Sequence, residues 1–180
     1  LILLAPIPSF PRWTRAALEM LSSQGASTVE ISSQVRALAQ KGVHTYADLV
    51  ALTRLLAKTG AYGGSPEALQ TSVRAAYSNY VKLSVLPERV PLQNEDILST
   101  LVARDILLEY DLMAAPIVAS YPVLILRGAR DRVVPRSVLE PLREKVKGDL
   151  KDVPEAGHYL YLDNPRAVLS GIAAFLKAHT

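Results

Sequence analysis

Two short apolar segments constrain the fold of this 180-residue chain most strongly. The first, residues 1–5, is ended by Pro6, and the second, residues 122–126, is soon followed by Gly128. Both are too short for a helix and lack polar alternation, which is typical of strands buried on both faces of a parallel sheet. A weaker candidate strand covers residues 150–153.

The remaining sequence has the spacing and punctuation of short amphipathic helices. Gly25, Gly42 and Gly60 each follow a periodic segment, as glycines beyond helix C-termini do, and Thr45 is placed as an N-cap. Further predicted helices begin at Ser65-Pro66-Glu67, cover about residues 94–110, cover residues 137–146, and run from Asn164-Pro165 to the end.

Strands that alternate with helices predict an α/β fold with a mostly parallel sheet and right-handed crossovers. Roughly 80 residues of predicted helix separate the first two strands, which is far more than an ordinary crossover. We therefore expect a helical cap inserted over the carboxyl edge of the sheet. The predicted organisation is a core strand and loop over residues 1–9, a helical cap over residues 10–93, and the rest of the core over residues 94–180.

Composition argues against several classes of function. The chain has 20 Lys and Arg against 17 Asp and Glu, a net charge of +3, and its basic residues are scattered, so we expect no nucleic-acid partner. The absence of cysteine removes disulfides, thiolate metal sites and a cysteine nucleophile. The opening apolar run is too short to span a membrane and lacks the basic segment of a signal peptide. We expect a cytoplasmic protein with no membrane partner, metal or cofactor.

Two polar side chains follow neighbouring predicted strands. Asp131 lies three residues after Gly128, and His158 follows the strand predicted at residues 150–153. Because the carboxyl ends of parallel strands meet at one edge, their separation of about one strand-helix-strand unit can bring them into contact. An aspartate that fixes the tautomer of a histidine makes it a competent general base. A turn aspartate and an unrelated loop histidine are the alternative.

The sequence around these two residues resembles a known family. Residues 121–135 (YPVLILRGARDRVVP) and 153–180 (VPEAGHYLYLDNPRAVLSGIAAFLKAHT) resemble the C-terminal part of the α/β-hydrolase superfamily, in its branch of cap-bearing esterases, lactonases, C–C hydrolases and haloperoxidase-like enzymes. The shared pattern is an apolar strand, Gly-x-x-Asp, Val-Pro, Gly-His, Asp-x-Pro and an amphipathic final helix. The resemblance implies that Asp131 is the acid and His158 the base of a catalytic triad.

Other residues in the resembling segments are expected to have structural functions. Asp163 and Pro165 are predicted to cap and begin the last helix. We expect Arg127, Arg130 and Arg132 to form a solvated loop surface, with contact to an acidic group on a substrate or partner as the alternative.

The nucleophile of the resembled family is missing from this sequence. That family places it in a Gly-x-Ser-x-Gly motif upstream of the acid and the histidine, and none of the nine glycines brackets a serine or aspartate in this way. Ser65 is the nearest candidate and is better explained as a helix cap. The His-Gly segment of the oxyanion hole is also absent. We therefore expect a C-terminal portion that lacks the N-terminal half of the fold and is inactive alone; a degenerate relative is the alternative.

The resemblance implies three possible functions for a complete protein. With a serine nucleophile, His158 would act on an ester, thioester or related carbonyl substrate. An aspartate nucleophile would give a haloalkane dehalogenase or an epoxide hydrolase, for which Tyr62, Tyr77 and Tyr80 are candidate cap residues if they do not simply pack between helices. The third possibility is a non-catalytic ligand-binding protein derived from a hydrolase.

The predicted cap also bears on the substrate. If the apolar faces of its helices line the site, they favour a small-molecule substrate with an apolar part; the alternative is that these faces pack on each other. The expected lining is Trp13, Leu18, Leu52, Leu55, Leu56 and Tyr77.

Overall fold

The computed structural model describes residues 1–23, 29–63, 95–117 and 119–179. Within these ranges, three parallel strands form one sheet in the order β1-β2-β3. The strands are β1 (Ile2–Leu4), β2 (Leu124–Gly128) and β3 (Asp149–Val153). The predicted α/β class and parallel sheet are confirmed.

Helices precede and follow the strands of this sheet. They are α1 (Phe10–Ser23), α2 (Val29–Lys41), α3 (Tyr46–Lys58), α4 (Glu95–Ala103), α5 (Arg136–Val146), α6 (Leu160–Asp163) and α7 (Pro165–His179). Among the described residues, no helix combines the length and the apolar character needed to cross a membrane. The helix predicted to begin at Ser65 and the glycine at position 25 lie outside the described residues.

The central strand β2 is packed on both faces. Ile125 belongs to the same apolar cluster as α1, α2, α3 and α5. Leu124 and Leu126, which point the other way, pack with Val168 and Phe175 of α7. Period-2 alternation therefore sends apolar side chains into two different cores, which explains why the strand is apolar at consecutive positions.

Helix α3 begins and ends as its sequence predicts. The Thr45 hydroxyl accepts a hydrogen bond from the backbone N–H of Asp48, and the Asp48 carboxylate accepts one from the backbone N–H of Thr45, so the two residues form a capping box. Gly42 and Gly60 follow α2 and α3 with φ of +81° and +66°, a conformation that glycine adopts without steric cost.

One predicted helix end and one predicted helix cap are wrong, whereas the predicted start of the last helix at Asn164-Pro165 is confirmed. Helix α4 ends at Ala103 instead of near Tyr110, because Asp105 adopts a left-handed conformation with φ of 58° that stops the helix. The final helix is capped by Asn164, whose Oδ1 accepts a hydrogen bond from the N–H of Ala167 at 3.2 Å, and not by the preceding aspartate. Asparagine at this position satisfies the first turn, so the aspartate can bond elsewhere.

Four side chains predicted to line a substrate cavity are packed inside the protein instead. Trp13, Leu52, Leu55 and Leu56 are each 3% exposed or less and belong to one apolar cluster with side chains of α5. The apolar faces of these helices therefore pack on each other and on α5. Leu18 is partly buried against the same cluster, whereas position 77 lies outside the described residues. The division into cap and core stays a prediction.

Candidate active site

Asp131 and His158 meet at the carboxyl edge of the sheet. Gly128 and Val153, at the ends of β2 and β3, are partners in the parallel register, so the loops that follow them start side by side. The Nδ1 atom of His158 lies 3.0 Å from Oδ2 of Asp131. The contact that the sequence suggested is therefore present; the catalytic function of the two residues stays a prediction.

The Asp131 carboxylate is fully buried and has a partner at each oxygen. Its Oδ1 accepts hydrogen bonds from the backbone N–H groups of Val133 at 2.8 Å and Val134 at 3.1 Å, within what we call the acid turn, residues 131–134. Because these amides occupy Oδ1, Oδ2 is the oxygen presented to His158. A proton on Nδ1 that is donated to Oδ2 leaves Nε2 as the basic nitrogen of the neutral imidazole.

Backbone contacts between glycines place the histidine loop, residues 154–158. A Cβ on Gly128 would overlap the carbonyl oxygen of Gly157, and a Cβ on Gly157 would overlap the carbonyl oxygen of Tyr62. A Cβ on Gly63 would lie 2.6 Å from the Cα of Gly157. The end of β2, the histidine loop and the segment after α3 therefore approach more closely than side chains would allow.

Hydrogen bonds complete the placement of His158. Its backbone N–H donates to the carbonyl oxygen of Tyr62 at 3.0 Å. The backbone N–H of Gly157 donates to Oδ2 of Asp163 at 2.7 Å. The predicted helix-capping function of Asp163 is thus wrong, and its carboxylate holds the histidine loop instead. No pattern in the sequence indicates this bond, since it depends on the turn through α6.

Tyrosine rings flank the histidine. The rings of Tyr62 and Tyr159 meet the His158 ring edge-on, with centroids 5.5 Å and 5.3 Å away. Burial raises the pKa of Tyr62 to about 12, and the nearby Tyr159 and Asp131 contribute to the rise, so its hydroxyl keeps its proton at neutral pH. The other two candidate tyrosines, at positions 77 and 80, lie outside the described residues.

One of the three arginines is not on a solvated surface. Arg130 and Arg132 are exposed, as expected, and Arg132 also donates hydrogen bonds to the carbonyl oxygens of Thr59 and Gly60. The side chain of Arg127 is only 11% exposed, so the prediction for this residue is wrong. A charged residue directly between an apolar strand segment and Gly128 was the signal that could have found it, because buried strand positions rarely hold an unpaired charge.

The same geometry bears on metal binding. In the ranges that the structure describes, no three His, Asp or Glu side chains are grouped as ligands for a metal ion. Among the described residues, the carboxylate of Asp131 and the rings of Tyr62 and Tyr159 lie beside His158, an arrangement suited to proton transfer.

Comparisons with known proteins agree with this architecture. A family model described as the alpha/beta hydrolase fold matches residues 32–165. A comparison with curated proteins gave no match.

Two similar solved structures are a proline iminopeptidase-related protein from Thermus thermophilus and VinJ. The first has a TM-score of 0.58 and 22% identity over 99% of this chain and 55% of its own. VinJ has a TM-score of 0.55 and 11% identity over 100% of this chain and 57% of its own. The chain thus spans little more than half the length of either protein. With well over half of its length matched by the family model, the chain belongs to the α/β-hydrolase fold family.

Proposed function

We propose that this chain is the C-terminal part of a serine-type hydrolase that acts on an ester, thioester or similar carbonyl substrate with an apolar part. The observation that carries the proposal is the hydrogen bond between His158 and the fully buried carboxylate of Asp131. Because the sequence contains no nucleophile motif, the serine and the oxyanion hole are assigned to an N-terminal half of the same fold.

In the proposed mechanism, Nε2 of His158 takes the proton of the serine hydroxyl as the serine oxygen attacks the carbonyl carbon. Asp131 holds the imidazole in the required tautomer and stabilises the imidazolium that forms. His158 then gives this proton to the leaving group, which departs and leaves an acyl-enzyme. In the second half, His158 takes a proton from water, and the resulting attack releases the acid and restores the serine.

The residues that favour a substrate with an apolar part differ from those predicted from the sequence. Four of the six residues predicted to line the site, Trp13, Leu52, Leu55 and Leu56, are buried in the interior, whereas the half-buried rings of Tyr62 and Tyr159 flank His158. Aromatic surface beside the reacting groups favours an apolar acyl or alcohol group next to the scissile bond.

A second candidate is an epoxide hydrolase with an aspartate nucleophile, in which His158 activates water. Tyr62 supports it, because a protonated phenol beside the histidine can donate a hydrogen bond to an epoxide oxygen. The two candidates differ in the nucleophile and in the substrate that is turned over.

The proposal is tested with the full-length protein on p-nitrophenyl acetate and a longer-chain p-nitrophenyl ester. We expect turnover of both, a preference for the longer chain, and a fall in kcat of roughly 10⁴-fold for His158→Ala. His44→Ala, at an exposed position, is the matched control and should keep its activity.

Three results would contradict the proposal. Turnover of styrene oxide without ester hydrolysis would favour the aspartate nucleophile. Tight binding of an ester without turnover would favour a non-catalytic binding protein. Ester hydrolysis that survives His158→Ala would remove the histidine from the mechanism.

A further inference from the structure

The side chain of Arg127 lies under the acid turn and bonds to both of its ends. Its Nη2 donates to the carbonyl oxygen of Asp131 at 2.7 Å, and its Nε donates to the carbonyl oxygen of Val134 at 3.0 Å. Its third contact is with the next strand: Nη1 of Arg127 donates a hydrogen bond to Oδ1 of Asp152 at 3.0 Å. In the sheet, Arg127 and Asp152 are register partners on β2 and β3.

These contacts bear directly on which way the Asp131 carboxylate faces. Its Oδ1 is held by the amides of Val133 and Val134, so the direction of Oδ2 depends on how those peptide groups are oriented. Arg127 fixes the carbonyls at the two ends of the same turn, and the indole N–H of Trp13 fixes the Val133 carbonyl between them at 2.7 Å. A turn released at its ends would let the carboxylate rotate away from the histidine.

Arginine is suited to this position for a geometric reason. Its planar guanidinium presents several N–H donors in a fixed fork, so one side chain can bond to two carbonyls and a carboxylate at once. Lysine has a single cationic nitrogen and cannot reach both ends of the turn with the same geometry. Asp152 offsets the charge of the largely buried guanidinium and also binds Arg136 at 3.2 Å, at the start of α5.

We propose that Arg127 is a positioning residue for the proposed reaction, which holds the acid turn so that Oδ2 of Asp131 faces Nδ1 of His158. The inference rests on the proposed function for its kinetic consequence. Its structural consequence, the hydrogen bond between Asp131 and His158, is measurable without any turnover.

The experiment compares Arg127→Gln and Arg127→Lys with the matched control Arg130→Gln in the full-length protein. Arg130 is exposed and lies next to the same turn. We expect Arg127→Gln to lower kcat by about 30- to 100-fold and Arg127→Lys by about 10-fold, with KM within about 3-fold of the parent value for both. Arg130→Gln should match the parent protein in both constants.

Nuclear magnetic resonance of the protein with ¹⁵N-labelled histidine supplies the second measurement. In the parent protein and Arg130→Gln, we expect a downfield Nδ1–H resonance of His158, assigned by its loss in His158→Ala. In both Arg127 variants this resonance should broaden or disappear, while amide resonances far from the acid turn keep their positions. A purely structural function would lower stability and leave this resonance in the molecules that stay folded.

The outcomes separate the inference from the proposed function. If the parent protein shows the Nδ1–H resonance but hydrolyses no ester, the proposed function fails and the resonance alone decides the positioning claim. If Arg127→Gln does not fold, Arg127→Lys decides. A folded Arg127 variant that keeps the resonance and has the kcat of Arg130→Gln overturns the inference.

Discussion

Two buried aspartates, one in the predicted cap and one at the edge of the sheet, are held by the same local arrangement. Asp48 accepts two backbone N–H groups from the loop before it, and Asp131 accepts two from the turn after it. They are 6% and 0% exposed. Their side-chain partners differ. Asp48 accepts a hydrogen bond from Nζ of Lys41 at 2.7 Å, whereas Oδ2 of Asp131 lies 3.0 Å from Nδ1 of His158.

This difference shows that the partner, and not the aspartate, separates a structural site from a candidate chemical one. The hydrogen bond from Lys41 lowers the pKa of Asp48 to about 2, against burial that raises it, so the carboxylate stays ionised at neutral pH and caps the start of α3. A histidine can gain and lose a proton near neutral pH, so the carboxylate of Asp131 can support proton transfer. The following predictions test the comparison.

The largest expected effect separates the two aspartates by activity. In both Asp131→Asn and Asp48→Asn, the retained amide oxygen can still accept the backbone N–H groups, so both variants should fold. We expect kcat for ester hydrolysis by the full-length protein to fall roughly 10⁴-fold for Asp131→Asn, and to stay within about 2-fold for Asp48→Asn. Equal losses of activity in the two variants would show that the partner does not make the difference.

The next effect tests the backbone contact that places the histidine loop, without changing either aspartate. In Gly128→Ala, the new methyl group would overlap the backbone of Gly157, which cannot give way as a flexible side chain would. We expect the free energy of unfolding to fall by about 3–5 kcal/mol, measured by urea denaturation, or the protein not to fold.

The control for this variant is Gly171→Ala in α7. A Cβ at this position would meet the Cδ2 atom of Leu126 at an ordinary 3.8 Å. Because alanine favours a helix over glycine, stability should stay unchanged or rise by up to about 1 kcal/mol. A similar stability of the two alanine variants would contradict the backbone contact described for the histidine loop.

A smaller effect is the pH dependence contributed by Asp48. Its pKa is lowered in the folded protein from 3.8 to about 2, so the folded state favours the ionised form. The contribution to stability is complete above about pH 4 and is lost as the pH falls toward about 2. Because water screens a pair whose lysine is 59% exposed, we expect a loss of only about 1 kcal/mol. Denaturation from pH 5 to pH 2 should show a weaker acid loss in Asp48→Asn, and identical curves would refute this assignment.

The smallest effect tests the lysine itself. Lys41→Met keeps much of the side-chain bulk and removes the cation, and an ion pair of this exposure contributes about 0.5 kcal/mol. We expect this loss in the free energy of unfolding at pH 7, with no change in ester turnover. A cost larger than that of Asp48→Asn would mean that Lys41, and not the capping box, dominates the start of α3.

The sequence predictions were accurate where the interacting residues are close along the chain and failed where they are far apart along it. The strand at residues 150–153, the cap at Thr45 and the glycine at position 42 follow from neighbours along the chain, and the structure contains them. The strand predicted at residues 122–126 is present but shifted to Leu124–Gly128. Trp13 was expected to line a cavity and instead bonds to the carbonyl oxygen of Val133, 120 residues away. A helical pattern indicates which face is apolar but not what covers it.

The sequence by itself indicated the alternation of strands and helices, the resemblance to the α/β-hydrolase family, and Asp131 with His158 as a candidate pair. Parallel strands present their carboxyl ends together, so spacing alone could indicate that pair. Only the tertiary structure decided that Arg127 is buried beneath the acid turn and that Asp163 holds the histidine loop. The physical reason is that these bonds end on backbone carbonyl and N–H groups, which nearly every residue carries. The charge of Arg127 could indicate that it needs a partner, but only the path of the chain in space decides which backbone groups the two side chains bind.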